Sequence, residues 1–281
     1  MEMIRLLVSL DERYLPQLKV LLTSAALNCP ETRLDLYLLH SGIPDSAWEP
    51  FYRWSERHGG RFTPIRVGDD LFQAAPVSRQ YPREMYYRLL AGELLPGTVG
   101  RVLYLDPDIL VINPLRPLWE TDLQGKLFAA AAHTGKTELA NSVNRLRLGV
   151  DHDYYNSGVL LMDLARARTA IRSEQLFAYT ADHARELVLP DQDLLNALYG
   201  DEVLPIPDEL WNYDARNYNN YLLRSGGEQD TDWVMAHTAI LHFCGKAKPW
   251  KPRYPYRFGI LYQHYAQLAR RDWDVRQLLP R

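Results

Sequence analysis

The sequence predicts an α/β fold: one mainly parallel, Rossmann-like sheet flanked by helices, with a decorated C-terminal half. Three observations carry this. Apolar strands alternate with amphipathic helices through the first hundred residues. Several strands are nearly continuous apolar runs, as expected where a sheet is covered on both faces. The 281 residues contain no repeat, linker or low-complexity break, and that length can bury one large core.

The elements follow in order. "IRLLVSL" (4–10) reads as the first buried strand, and "YLPQLKVLLTSAALN" (14–28) spaces its apolar residues at helical intervals. "RLDLYLLH" (33–40) is the second strand, "DSAWEPFYRWSERHGG" (45–60) a helix stopped by Gly-Gly, and "RFTPIRV" (61–67) the third strand. "REMYYRLLAGELLPG" (83–97) reads as one helix leading into the strand "RVLYL" (101–105). Beyond it, "KLFAAAA", "NSGVLLMDL" and "AILHF" read as strands, and "SEQLFAYTADHARELV" and "QDLLNALYG" as helices. The polar, aromatic stretch "WNYDARNYNNYLLRSGGEQD" (211–230) reads as a long loop, a lid or substrate wall. Residues 1–250 are expected to form the functional domain, with 251–281 as an extension of it.

Composition excludes more than it selects. Apolar residues make up 47% and charged residues 24%, and the net charge of -3 gives no reason to expect nucleic acid. Two cysteines, Cys29 and Cys244, fit a reducing compartment better than a disulfide scaffold. The opening "MEMIRLLVSLDERY" reads as a strand and not a signal peptide, and no run approaches the ~18 apolar residues of a membrane span. A cytoplasmic protein is expected, at most attached to a membrane face. Residues 246–281 hold nine Lys and Arg against two Asp, a net of +7, interleaved with seven Trp, Tyr and Phe. That pattern suits an anionic membrane surface or a phosphorylated ligand, and equally a solvated helix with its aromatics packed inward.

The strand "RVLYL" delivers "DPDILV", which sets Asp106 and Asp108 one proline apart. In extended chain, residues i and i+2 share a face, and Pro107 restricts Asp106 to extended geometry. Two converging carboxylates need a cation, and hard oxygen ligands favour Mn²⁺ or Mg²⁺. The bland alternative is a solvated Asp-Pro-Asp turn. In "HFCGKAKPW", His242 ends a strand and offers an imidazole, which tilts the choice towards Mn²⁺. Gly245 would let backbone approach a phosphate, and Lys246 and Lys248 supply positive charge. Asn156, Ser157 and Gly158 precede a buried strand, where an ordinary turn is also expected. Asp191, Gln192 and Asp193 open a helix, where acids are common caps.

In this order, "VSLDERY", "YYRLL", "RVLYLDPDILV", "YYNSGVLLMDL", "LPDQDLLNALYG" and "HFCGKAKPW" resemble the retaining glycosyltransferases of family eight, which include lipopolysaccharide galactosyl- and glucosyltransferases and glycogenin. The resemblance covers about residues 3 to 250 and implies a GT-A fold. It also implies that Asp106, Asp108 and His242 hold Mn²⁺, with Mg²⁺ as the alternative, against the diphosphate of a UDP-sugar. Gly245 and Lys248 match diphosphate contacts; Asp11 and Arg13 stand where relatives contact uridine, although relatives often have Asn in place of Arg13. Arg88 and Asp191 correspond to residues that grip the donor sugar, Asn156 lies beside it, and Gln192 matches the residue near the reacting carbon. Relatives often place an acid where this chain reads "HTGK" (133–136), a departure that bears on sugar and acceptor preference.

The implied partners are a UDP-sugar donor, UDP-Glc or UDP-Gal first, and a saccharide or lipid-linked saccharide acceptor. The implied chemistry is same-face attack by the acceptor hydroxyl as the phosphate leaves, Asp193 as covalent nucleophile being the minority reading. Two other classes compete. A Mg²⁺-dependent phosphohydrolase would carry its D-x-D after the first strand, followed by a Gly-Thr turn; here the pair follows about the fourth and continues "ILV". A non-catalytic nucleotide-sugar or glycan binder would have a disabled metal triad. A dinucleotide oxidoreductase lacks its G-x-G-x-x-G.

Overall fold

A computed structural model of the chain describes residues 2–68, 71, 83–132 and 136–274. Ten strands occur among them: β1 (Glu2–Ser9), β2 (Thr32–His40), β3 (Phe62–Arg66), β4 (Arg101–Leu105), β5 (Ile109–Val111), β6 (Phe128–Ala130), β7 (Val159–Asp163), β8 (Val203–Pro205), β9 (Tyr213–Asp214) and β10 (Ile240–His242). Seven form a central sheet in the order β3-β2-β1-β4-β7-β6-β8, and three form a small sheet in the order β5-β10-β9. In the central sheet only β7 runs against its neighbours, pairing antiparallel with both β4 and β6. The expected mainly parallel sheet is therefore present, with one reversed strand inside it.

The two-residue period of a strand splits the buried side chains between two cores. On one face, Ile4, Leu6, Val8, Leu36, Leu38, Leu103 and Leu105 pack with Leu18, Leu21 and Leu22 of the helix Leu15–Asn28 and with Tyr262 and Ala269 of the helix Gly259–Trp273. On the other, Leu7, Leu39, Val102, Tyr104, Leu160 and Met162 pack with Tyr86, Tyr87, Phe177, Leu194 and Leu195. Each fully buried Leu contributes on the order of 2 kcal/mol. The C-terminal aromatics Phe258, Tyr262 and Trp273 belong to the first core, so their apolar surface is committed inward.

Four local differences from the sequence reading have physical causes. Residues 83–97 form two short helices, Glu84–Tyr87 and Ala91–Leu94, in place of one. At Gly92 a Cβ would lie 3.0 Å from the Arg168 backbone nitrogen, so a close crossing of the helix Leu164–Ala170 shapes this region. Residues 211–230 are not one loop: they contain β9 and the helix Tyr218–Arg224. Tyr213 stacks on Tyr221 at 4.0 Å and meets Phe258 edge-on at 5.7 Å, so aromatics that resemble a binding surface are core. The helix Lys136–Leu148 occupies a stretch that carries no assignment above; its Val143 and Leu146 are exposed and so mark no core face, and "HTGK" lies outside the described residues except for Lys136. Finally, Asp106 to Asp108 make a turn carrying the chain from β4 in the large sheet to β5 in the small one, where extended geometry was expected.

Candidate active site

Strand register builds the acidic end of the site. β10 runs antiparallel to β5 with His242 opposite Ile109, and the Phe243 N–H donates to the Asp108 carbonyl at 3.0 Å. His242 is thereby laid beside the turn. Its Nε2 lies 3.3 Å from Asp108 Oδ1 and 3.8 Å from Asp106 Oδ2, and one ligand atom from each residue falls within 4.8 Å of the others. Asp108 and His242 are buried, Asp106 nearly so. The other ring nitrogen, Nδ1, pairs with Asn212 Oδ1 at 2.8 Å, which fixes the ring and leaves Nε2 for a ligand.

Two further observations fit a divalent ion in this triad. The donors are two hard carboxylates and an imidazole, a set suited to Mn²⁺. At Gly158 an added Cβ would fall 2.3 Å from His242 Cε1 and 2.6 Å from Asp106 Oδ2, so only a bare Cα leaves the cradle its shape. Burial penalises both carboxylates, but the outcomes differ. For Asp108, His242 and Lys248 overcome burial and hold the carboxyl well below its usual range. For Asp106, burial together with the Asp108 charge prevails over Arg88 and raises it. The Asp106 Oδ1 accepts from Tyr104 Oη at 2.7 Å, and Tyr104 Oη in turn meets Ser9 Oγ at 3.1 Å.

A second cluster adjoins the first. Arg88 Nη1 lies 3.1 Å from Asp106 Oδ1 and 3.1 Å from Asp191 Oδ2, and donates to the Ser157 carbonyl at 3.0 Å. Ser157 Oγ donates to Asp191 at 2.9 Å, and Asn156 Nδ2 donates to Gln192 Oε1 at 2.9 Å. Burial opposes the Arg88 charge, but Asp106, Tyr104 and Asp191 more than offset it, so the guanidinium holds its proton. Asn196, fully buried, clamps the loop before β7 to the helix Pro190–Tyr199: its Oδ1 accepts from the Tyr155 N–H at 2.7 Å and its Nδ2 donates to the Tyr155 carbonyl at 2.8 Å.

Asp106, Asp108, Asn156, Asp191, Gln192, His242, Gly245 and Lys248 line one cavity of about 410 Å³. Lys248 donates to Asp108 Oδ2 and, at 2.9 Å, to the Phe243 carbonyl. Gly245 adopts φ +80°, the left-handed region open to glycine. Asp193 points elsewhere. It is fully buried and accepts from Tyr154 Oη (2.5 Å), from both Arg147 Nη atoms (2.6 and 3.0 Å) and from the Val188 and Leu189 N–H groups. Asp11 and Arg13 stand at the carboxyl end of β1, where they pair with each other at 2.6 Å. Sequence reasoning missed Asn212, Tyr104 and Arg216; only the β9–β10 pairing and the sheet register bring these to the site.

A mainly parallel sheet with an Asp-x-Asp pair and a late His at its edge is the arrangement of a GT-A-fold glycosyltransferase, and the family match puts the chain in that class. The chain belongs to glycosyl transferase family 8, whose model matches residues 5–253. It is 29% identical over 259 residues to the lipopolysaccharide 1,2-glucosyltransferase of Escherichia coli K12, covering 89% of this chain and 73% of that protein. It is 27% identical to general stress protein A of Bacillus subtilis 168, covering 98% and 96% respectively. Among solved structures, the galactosyltransferase LgtC in complex with donor and acceptor sugar analogues has the same fold, with a TM-score of 0.76 at 24% identity over 94% of this chain and 96% of that one. The glycosyltransferase GlyE of Streptococcus pneumoniae TIGR4 follows at 0.72 and 20% identity, covering 99% of this chain and 64% of its own.

Proposed function

We propose that the protein is a metal-dependent, retaining hexosyltransferase. It moves a hexose from a UDP-sugar, UDP-glucose or UDP-galactose, to a hydroxyl of a saccharide or lipid-linked saccharide. The observation that supports this best is that the triad, Asp191 and the Asn156–Gln192 pair open on a single cavity. Asp106, Asp108 and His242 would hold Mn²⁺, or Mg²⁺ in its place; when bound, the ion supplies positive charge to the diphosphate leaving group.

The remaining chemistry rests on the chain's own residues. Lys248 adds a second positive charge beside the ligands, and Gly245 lets backbone approach the phosphates. Asp11 and Arg13 face the uridine; Arg88 and Asp191, already locked together, grip the sugar. The acceptor oxygen bonds to the anomeric carbon on the face from which the phosphate leaves. The breaking bond's electron pair goes to the phosphate oxygen, which also takes the acceptor's proton. Gln192, oriented by Asn156, offers a carboxamide oxygen near the developing positive charge and is too weak a nucleophile to form an intermediate. Asp193 carries five hydrogen bonds and is assigned to positioning.

A test is UDP release from UDP-glucose, UDP-galactose and UDP-N-acetylglucosamine with and without Mn²⁺. Turnover that requires the ion is expected, and absence of both release and metal-sensitive UDP binding overturns the proposal. Among the described residues, no helix is long and apolar enough to cross a membrane. We place the enzyme in the cytoplasm, drawn electrostatically to anionic lipid by the basic residues of its C-terminal segment. Salt-sensitive sedimentation with anionic liposomes checks this, and binding that ignores salt refutes it.

A further inference from the structure

Arg216 follows β9 in the stretch that the sequence alone presents as loop. It lines the same cavity as Gly245 and Lys248. Its guanidinium is held along one edge: Nε lies 2.9 Å from Asp214 Oδ1, and Nη2 lies 2.6 Å from Asp214 Oδ2. Asp214 is fully buried and is itself fixed, accepting from Asn217 Nδ2 at 2.9 Å and from the Arg216 N–H at 3.0 Å. A guanidinium clamped by its Nε–Nη2 edge is planar and pre-aimed, and Nη1 is the amino group that this clamp leaves for another acceptor.

That amino group lies over Gly245. A Cβ at position 245 would come within 2.4 Å of Arg216 Nη1. Glycine there therefore serves two ends: it takes φ +80° and it leaves room for the guanidinium to reach the cavity. Arg216 thus joins the wall made by Gly245 and Lys248. Its planar fork matches a phosphate better than a sugar hydroxyl, and a charge-assisted N–H to a phosphate oxygen is among the stronger hydrogen bonds.

We infer that Arg216 contacts the distal phosphate of the donor's diphosphate and stabilises it as the leaving group, a second protein cation beside Lys248. This rests on the UDP-sugar reading above. The phosphate gains negative charge as the anomeric bond breaks, so a fixed donor aimed at it favours the transition state more than the ground state.

The experiment measures UDP and UMP binding by calorimetry with saturating Mn²⁺, for the wild-type chain, Arg216→Ala and Arg216→Lys. UMP lacks the distal phosphate. The lysine variant keeps a charge opposite buried Asp214, so it remains informative if the alanine variant, which strands that carboxylate, does not fold. Each folded variant should lose about ten- to a hundredfold in UDP affinity, the range for one hydrogen bond to a charged group, with UMP affinity unchanged. Equal losses for UDP and UMP in Arg216→Lys, or no loss for either, overturn the inference. A wild-type chain that binds neither nucleotide overturns the UDP-sugar reading and this inference with it.

Discussion

His242 Nδ1 and Asn212 Oδ1 meet at 2.8 Å across thirty residues of sequence, and both side chains are buried. Asn212 is fully buried, and its amide nitrogen donates to Asn156 Oδ1 at 2.9 Å. One carboxamide therefore joins the imidazole of the candidate metal triad to the Asn156–Gln192 pair. Removing it frees the ring to turn and to change tautomer. Asn212→Ala should weaken Mn²⁺ binding by about ten- to a hundredfold, measured by calorimetric titration of the folded variant. An unchanged affinity would mean that packing alone holds His242.

The carboxylates themselves are tested by Asp108→Asn. The change keeps shape but removes a charge that faces both His242 and Lys248. Metal-dependent UDP release should fall by at least about a hundredfold, with the circular dichroism spectrum retained. Chelation with EDTA should abolish wild-type turnover and added Mn²⁺ restore it, whereas the variant should respond to neither.

Gly158→Ala asks whether the cradle needs a bare Cα. The new methyl would overlap His242 Cε1 and Asp106 Oδ2, at 2.3 and 2.6 Å. Its φ lies outside the left-handed region, so the cost is steric, on the order of 1–3 kcal/mol for overpacking. Both the melting temperature and Mn²⁺ affinity should drop. A stable variant with intact affinity would show that the ligands can yield without leaving the ion.

The same residues show what a sequence can and cannot disclose. Asp106 and Asp108 were legible because a carboxylate pair at the end of an apolar strand is a local anomaly, and His242 because it too ends a strand. Asn212 and Arg216 were not: their neighbours Trp211, Tyr213 and Tyr218 read as part of a long loop, a lid or substrate wall. Two of these rings, Tyr213 and Tyr218, pack at Phe258. The pairing of β9 with β10 is non-local, so no spacing announces it. Asp193 illustrates the converse. Its place beside Gln192 marks it as chemistry, but helical geometry turns it away to Arg147 and Tyr154.

The C-terminal helix is fastened by a carboxylate, and this makes its docking depend on acid. Asp272 Oδ2 accepts from Trp54 Nε1 at 2.6 Å and lies 3.7 Å from His58 Nε2, while Trp54 and Trp273 stack at 5.2 Å. Burial raises the Asp272 carboxyl, but His58, Trp54 and Arg57 outweigh it and bring it below its ordinary value. A carboxyl depressed in the folded state stabilises fully above its unfolded value of about 3.9, and that contribution fades as pH falls through the lower folded value. Asp272→Asn should therefore lower the urea midpoint at pH 7, and the gap from wild type should narrow as pH is taken from 5 towards 3. If the gap persists undiminished, hydrogen bonding and not the charge fastens the helix. If the variant matches wild type at pH 7, the Trp54–Trp273 stack alone suffices.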